Sequence, residues 1–107
     1  MYEYRGEVIH VVDGDTVDVR IDLGLEIQRE IRLRLFGINA AERFTDLGKM
    51  ATEALRDLFT GNPLVTVRTF KDRTEKYGRY LAILTTQDGI NINDWLVESH
   101  LAERQTG

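Results

Sequence analysis

Residues 16–37 read TVDVRIDLGLEIQREIRLRLFG, two stretches of alternating apolar and polar side chains on either side of a glycine. Successive side chains of an extended chain point to opposite faces. Val17, Val19, Ile21 and Leu23 therefore share one face of the first stretch, and Ile31, Leu33 and Leu35 one face of the second. Arg32 and Arg34 fall on the other face of the second stretch. Two half-apolar strands joined by a turn near Gly24 predict an antiparallel pair that closes over a core.

Working outward, residues 4–12 read as a strand before Asp13-Gly14, the usual chemistry of a tight hairpin. Downstream the period changes. In TDLGKMATEALRDLFTG, residues 45–61, Leu47, Met50, Ala51, Ala54, Leu55 and Leu58 form one helical stripe. Thr45 or Asp46 can cap its start and Gly61 can end it. LVTVRTF (64–70) and RYLAILTT (79–86) are two further strands, with a turn at Tyr77-Gly78 between them. NDWLVESHLAE (93–103) reads as a second helix capped by Asn93, with Trp95, Leu96 and Leu101 on its buried side. Three strands, a helix, two strands and a helix is the plan of the OB-fold, a small Greek-key barrel. The expected class is α+β, mainly β: one five-stranded barrel domain over residues 1–107 with two or three helices.

Composition bounds the rest. The chain has 107 residues, enough for one core and too few for two. It has no cysteine, which excludes disulfides and thiolate metal sites. No apolar run approaches the roughly 18 residues of a membrane span. The N-terminus, MYEYRGEVIH, lacks a secretory pattern, so a cytoplasmic setting is expected over secretion, with no membrane and a monomer. The net charge of −4 argues against a broad cationic coat for nucleic acid. Yet eleven of the fourteen cations are arginine, the residue suited to bidentate phosphate contacts. Residues 68–79, RTFKDRTEKYGR, carry five cations against two acids, which predicts a local basic rim.

Parity locates an acid. Asp15 shares the face of Val17, Val19 and Ile21, so its carboxylate points inward at the mouth of the barrel. Burial there costs several kcal/mol unless a cation meets it, and arginine or a metal ion would serve. In RLRLFGINAAER (32–43), Gly37 lets the chain bend and deliver Asn39 and Glu42. If these two strands are antiparallel neighbours, Asp15 lies beside Asn39 and Glu42. Carboxylates, an amide oxygen and main-chain carbonyls make a hard-ligand set suited to calcium.

VDGDTV, RLFGINAAE and KYGR, in this order and spacing, resemble the three signature blocks of the staphylococcal nuclease (thermonuclease) family. The resemblance runs from about residue 7 to residue 103. It implies an OB-fold enzyme that hydrolyses DNA and RNA phosphodiesters with calcium and leaves 3′-phosphate ends. By resemblance Asp15 and Asn39 match calcium ligands, and Ala40 matches a main-chain carbonyl ligand. Glu42 matches the glutamate that activates the attacking water, touching the metal through water. Arg34 and Arg79 match the arginines that bind the phosphate and its transition state. Lys76 and Tyr77 match residues lining the nucleotide site. Asn39 stands where better-known members carry aspartate, so weaker calcium binding is expected. The loop between Glu42 and the first long helix is short, which implies a reduced flap, and the third helix of those members has no counterpart in the pattern.

The rival reading is a catalytically weak or inactive nuclease-like module that docks nucleic acid or protein. Retention of Arg34, Glu42 and Arg79 favours catalysis. A glycoside hydrolase built on a carboxylate pair fits the arginines poorly. Arg32 is expected to be solvated, His10 and His100 structural and without a partner acid, and Trp95 and Tyr80 part of the core. Tyr77 is the expected stacking aromatic.

Overall fold

The computed structural model describes residues 2–74 and 78–105. Strands β1 (Tyr2–Asp13), β2 (Thr16–Asp22) and β3 (Gln28–Leu35) form an antiparallel meander. A short strand β4 (Ile38–Ala40) leads to helix α1 (Asp46–Thr60). Strands β5 (Leu64–Thr74) and β6 (Tyr80–Thr86), helix α2 (Ile92–Glu98) and strand β7 (Ala102–Arg104) complete the order. The barrel closes as β1-β2-β3-β6-β5, and only the β3–β6 seam is parallel. Closure gives each barrel strand a partner on both sides among the described residues, which shortens the edges that could template aggregation.

The period-two pattern of residues 16–37 carries through to packing. Val17, Val19, Leu33 and Leu35 are fully enclosed, joined by Val67 and Leu84 from the far side of the barrel. Leu55 and Phe59 of α1 and Ile92 and Leu96 of α2 complete the core. Each such side chain contributes roughly 1.5–3 kcal/mol of burial. Leu23, just past the end of β2, is exposed rather than enclosed.

Several expectations are corrected. The buried side of α1 is Ala51, Thr52, Leu55 and Phe59, whereas Leu47 and Met50 are exposed. The buried face is turned about the helix axis from the apolar stripe toward Gly48, Thr52 and Phe59. The second helix begins at Ile92, capped by Asn91, whose side chain accepts the Asp94 N–H. It ends at Glu98, and the chain then turns through His100 (φ 60°) into β7. Strands β4 and β7 pair with each other in a two-stranded sheet that the local pattern does not signal. Tyr80 is exposed at the start of β6. Among the described residues, no helix is long and apolar enough to cross a membrane.

Candidate active site

Four chain segments converge at the mouth of the barrel. Pairing begins where β2 starts and β3 ends: Leu35 N–H donates to the Asp15 carbonyl at 2.8 Å, and Thr16 lies opposite Arg34. Gly37, with φ of 79°, turns the chain after β3 so that β4 returns beside Asp15. The Ala40 N–H then donates to Asp15 Oδ2 at 2.9 Å, tying the two strands together through a side chain.

Glu42 is held by the start of α1. Its carbonyl accepts the Thr45 N–H at 3.0 Å and the Thr45 hydroxyl at 2.7 Å, while that hydroxyl accepts the Gly48 N–H. Thr45 is thus the helix N-cap and the clamp on Glu42 together. A Cβ at Gly48 would lie 1.8 Å from the Glu42 carbonyl oxygen, so only glycine allows this approach. The Glu42 side chain itself is exposed on the cleft wall.

A cleft of about 1130 Å³ is lined by Asp13, Asp15, Arg34, Asn39, Ala40, Glu42 and Arg79, among others. Six of the residues singled out from the sequence thus line one space. The remaining two, Lys76 and Tyr77, lie outside the described residues.

The charges inside the cleft are interlocked. Asp15 is 8% exposed. Arg34 Nη2 lies 3.4 Å from Asp15 Oδ2 and donates to Asn39 Oδ1 at 3.2 Å, while its Nη1 donates to the Leu35 carbonyl. Arg79 Nη1 donates to the Thr16 hydroxyl at 3.0 Å, and that hydroxyl donates to Asp15 Oδ1 at 3.1 Å. Thr16 therefore links the second arginine to the buried acid. Burial, then the Asp13 carboxyl beside it, pushes the Asp15 carboxyl above its ordinary value of 3.8. The Ala40 N–H and the Arg34 guanidinium offset only part of that push.

Asp13 and Thr16 complete this constellation, although the sequence pattern marks the first as a turn acid and the second as a strand residue. Asp13 Oδ1 accepts the Asp15 N–H at 3.0 Å. Asn93, expected as a helix cap, instead sits buried at the parallel seam. It accepts from Leu84 N–H and donates to the Phe36 and Ala82 carbonyls, which fixes β3 against β6 near both arginines. A polar residue inside a helix that faces a sheet is the only trace of this role in the sequence.

The cleft offers oxygen donors: the Asp13, Asp15 and Glu42 carboxylates, the Asn39 amide and nearby main-chain carbonyls. Neither histidine lines it, and the chain has no cysteine. Such a donor set fits a hard cation such as calcium and not a soft metal. Among the described residues, no group of three or more His, Asp or Glu side chains is drawn together as a ready cluster. A cation here would rely on amide, carbonyl and water oxygens beside Asp15.

A family model described as Staphylococcal nuclease homologue matches residues 32–106. An uncharacterized endonuclease of Escherichia coli O157:H7 is 33% identical over 100 residues, covering 94% of this chain and 60% of its own length. Protein ParB of Escherichia coli is 38% identical over 80 residues, covering 74% of this chain and 40% of its own. A micrococcal nuclease of Shigella flexneri is 33% identical over 82 residues, with coverage of 77% and 42%. The chain spans 60% or less of the length of these curated relatives.

Proposed function

Because the chain belongs to the staphylococcal nuclease homologue family, we propose that it is a calcium-dependent nuclease that hydrolyses phosphodiester bonds of DNA, RNA or both. The observation that carries this reading is the shared cleft: two guanidinium groups, Arg34 and Arg79, face the same space as Asp15 and Glu42. Phosphodiester hydrolysis builds negative charge on the non-bridging oxygens as water attacks phosphorus. Arg34 and Arg79 would meet that charge with planar donor pairs fixed before the reaction begins, Arg34 by the Leu35 carbonyl and Arg79 by Thr16.

Glu42 is the base in this scheme. Its exposed carboxylate can accept a proton from the attacking water, and the Thr45 clamp holds its main chain still while it does so. The Asp15 side chain, Asn39 amide oxygen and Ala40 carbonyl would hold calcium, with Glu42 reaching it through water. When bound, the ion would supply Lewis-acid charge to a phosphoryl oxygen and relieve the Asp13–Asp15 repulsion. Asn39 brings one charge fewer to that site than an aspartate would, so Asn39→Asp is expected to tighten calcium binding in a titration.

The test is incubation of denatured DNA with the protein, in calcium or in a chelator. Loss of polymer in calcium alone, abolished in Glu42→Gln and Arg79→Ala, supports the enzyme. Tight binding with no cleavage under any divalent ion overturns it and leaves a docking module.

A further inference from the structure

A second, smaller cavity of about 210 Å³ adjoins the cleft and shares two lining residues with it, Arg43 and Phe44. Its other walls are Val12 and, from α1, Lys49, Thr52, Glu53 and Arg56. Phe44 is 76% exposed at the junction of the two spaces. Water-facing phenylalanine is costly in apolar surface. The short loop that carries it is not loose, because Thr45 pins both ends of the turn through Glu42 and Gly48. The Arg43 guanidinium sits 4.7 Å from the ring centroid. The ring is thus a held platform with the Arg43 guanidinium over one face, and a base would stack on the other.

The groove beyond is cationic: Arg43, Lys49 and Arg56 against Glu53. Among the described residues, none of the three cations makes an ion pair, and Arg56 donates only to the Val11 carbonyl at 3.4 Å. Lys49 and Arg56 lie seven residues apart on α1, roughly 10 Å along the helix axis. An aromatic platform followed by spaced, unneutralised cations is the arrangement that holds unpaired bases and their phosphates.

We propose that the strand leaving the cleft crosses Phe44, with one base stacked on the ring, and continues along the Arg43, Lys49 and Arg56 groove. This inference rests on the nuclease reading above and adds to it a subsite beyond the cleft that takes an unpaired stretch of strand. Bases in a duplex stack on each other and offer no free face to a side chain, so the platform selects against duplex.

The experiment measures equilibrium binding in chelator, where no cleavage can confuse the reading, using labelled mixed-sequence DNA and RNA single strands and the matching DNA duplex. Phe44→Ala is expected to weaken single-strand binding by about 5-fold to 150-fold, the range for one stacked base. Phe44→Trp should retain affinity, and bound strand should quench its emission relative to the wild-type baseline from Trp95. Lys49→Gln with Arg56→Gln should lower the salt slope of single-strand binding by about 1.4, or 0.7 per phosphate contact. Thermal melting of each variant shows whether it is folded. Equal losses for DNA and RNA place recognition on bases and phosphates, while loss for one alone narrows the class to that strand. Folded Phe44→Ala that binds single strands within twofold of wild type overturns the subsite, even if wild type cleaves DNA. A wild type that never cleaves but loses strand binding in Phe44→Ala keeps the subsite and overturns the nuclease reading alone.

Discussion

Asp15, just before β2, and Asp18, within it, are three residues apart, yet their surroundings push them in opposite directions. On the outer wall of the barrel Asp18 receives a two-pronged contact from Arg32, at 2.8 and 3.1 Å, with His10 at 3.4 Å. Its carboxyl is held below the ordinary value, first by the Arg32 hydrogen bond. In the cleft Asp15 is buried beside another carboxyl and is pushed up. The wall repeats its solution elsewhere: Arg20 lies between Glu7 and Glu30, and Arg68 faces Glu3. Charges on the wall are settled against one another, whereas the buried acid in the cleft keeps a repulsive neighbour that its own arginine only partly offsets. That residual imbalance is what a cation bound in the proposed site would relieve.

The sharpest way to break this comparison is to remove one arginine from each region. Arg34 and Arg32 occupy alternate positions on β3, and both touch an aspartate. Under the proposed function, Arg34→Ala is expected to lower kcat by about 10²–10³, the cost of losing one preorganised donor to a developing oxyanion. Arg32→Ala should leave kcat unchanged. A steady-state assay on single-stranded DNA decides it, and equal losses would mean that the wall and the cleft do not differ in function.

Gly48 tests whether Glu42 must be clamped. Gly48→Ala drives a methyl group into the Glu42 carbonyl and should destabilise the fold by about 1–3 kcal/mol, as overpacking does. Chemical denaturation checks this. An exposed helical glycine replaced by alanine would instead gain stability, so the sign alone separates the two accounts.

How far this division was legible in the sequence follows from the range of each signal. The barrel strands were readable because burial on one face imposes a period of two within each segment. Asp15 was placed by the same parity, and Gly37 by the need for a bend. The β4–β7 pair was not readable, since three residues joined across more than sixty carry no period of their own. Asn91 and Asn93 are the same residue type two positions apart; only the Leu84, Phe36 and Ala82 backbone groups that meet Asn93 separate cap from seam. His10 was expected to lack a partner acid, but the β1–β2 register brings it opposite Asp18 past an irregularity in β1. Thr16 joins Arg79 to Asp15 through one hydroxyl across 63 residues, a link set by barrel closure and not by local pattern.

Asp15 offers a smaller effect with an informative sign. A carboxyl whose folded value is raised binds more protons folded than unfolded, so it costs stability as pH rises through its titration. In metal-free protein Asp15→Asn should therefore raise stability near pH 7. The gain should vanish below the ordinary aspartate value, where both carboxyls are protonated. If Asp15 holds calcium as proposed, excess calcium should reverse the ranking, because binding would stabilise only the protein that keeps that carboxylate. Thermal melts across pH, in chelator and in calcium, give all three comparisons.

Asp18 should show the opposite sign and the smallest effect. Its folded value is depressed, so its contribution is present above the ordinary aspartate value and is lost as pH falls through the depressed one. Asp18→Asn should lower stability near pH 7 and match wild type in strong acid. The Arg32 side chain is 53% exposed, so solvent screens the pair and the loss is expected at about 0.5 kcal/mol. High salt should shrink it further, whereas the Asp15→Asn gain, which originates in burial, should persist. If salt removes both differences equally, Asp15 is no more enclosed than Asp18, and the contrast between wall and cleft loses its physical basis.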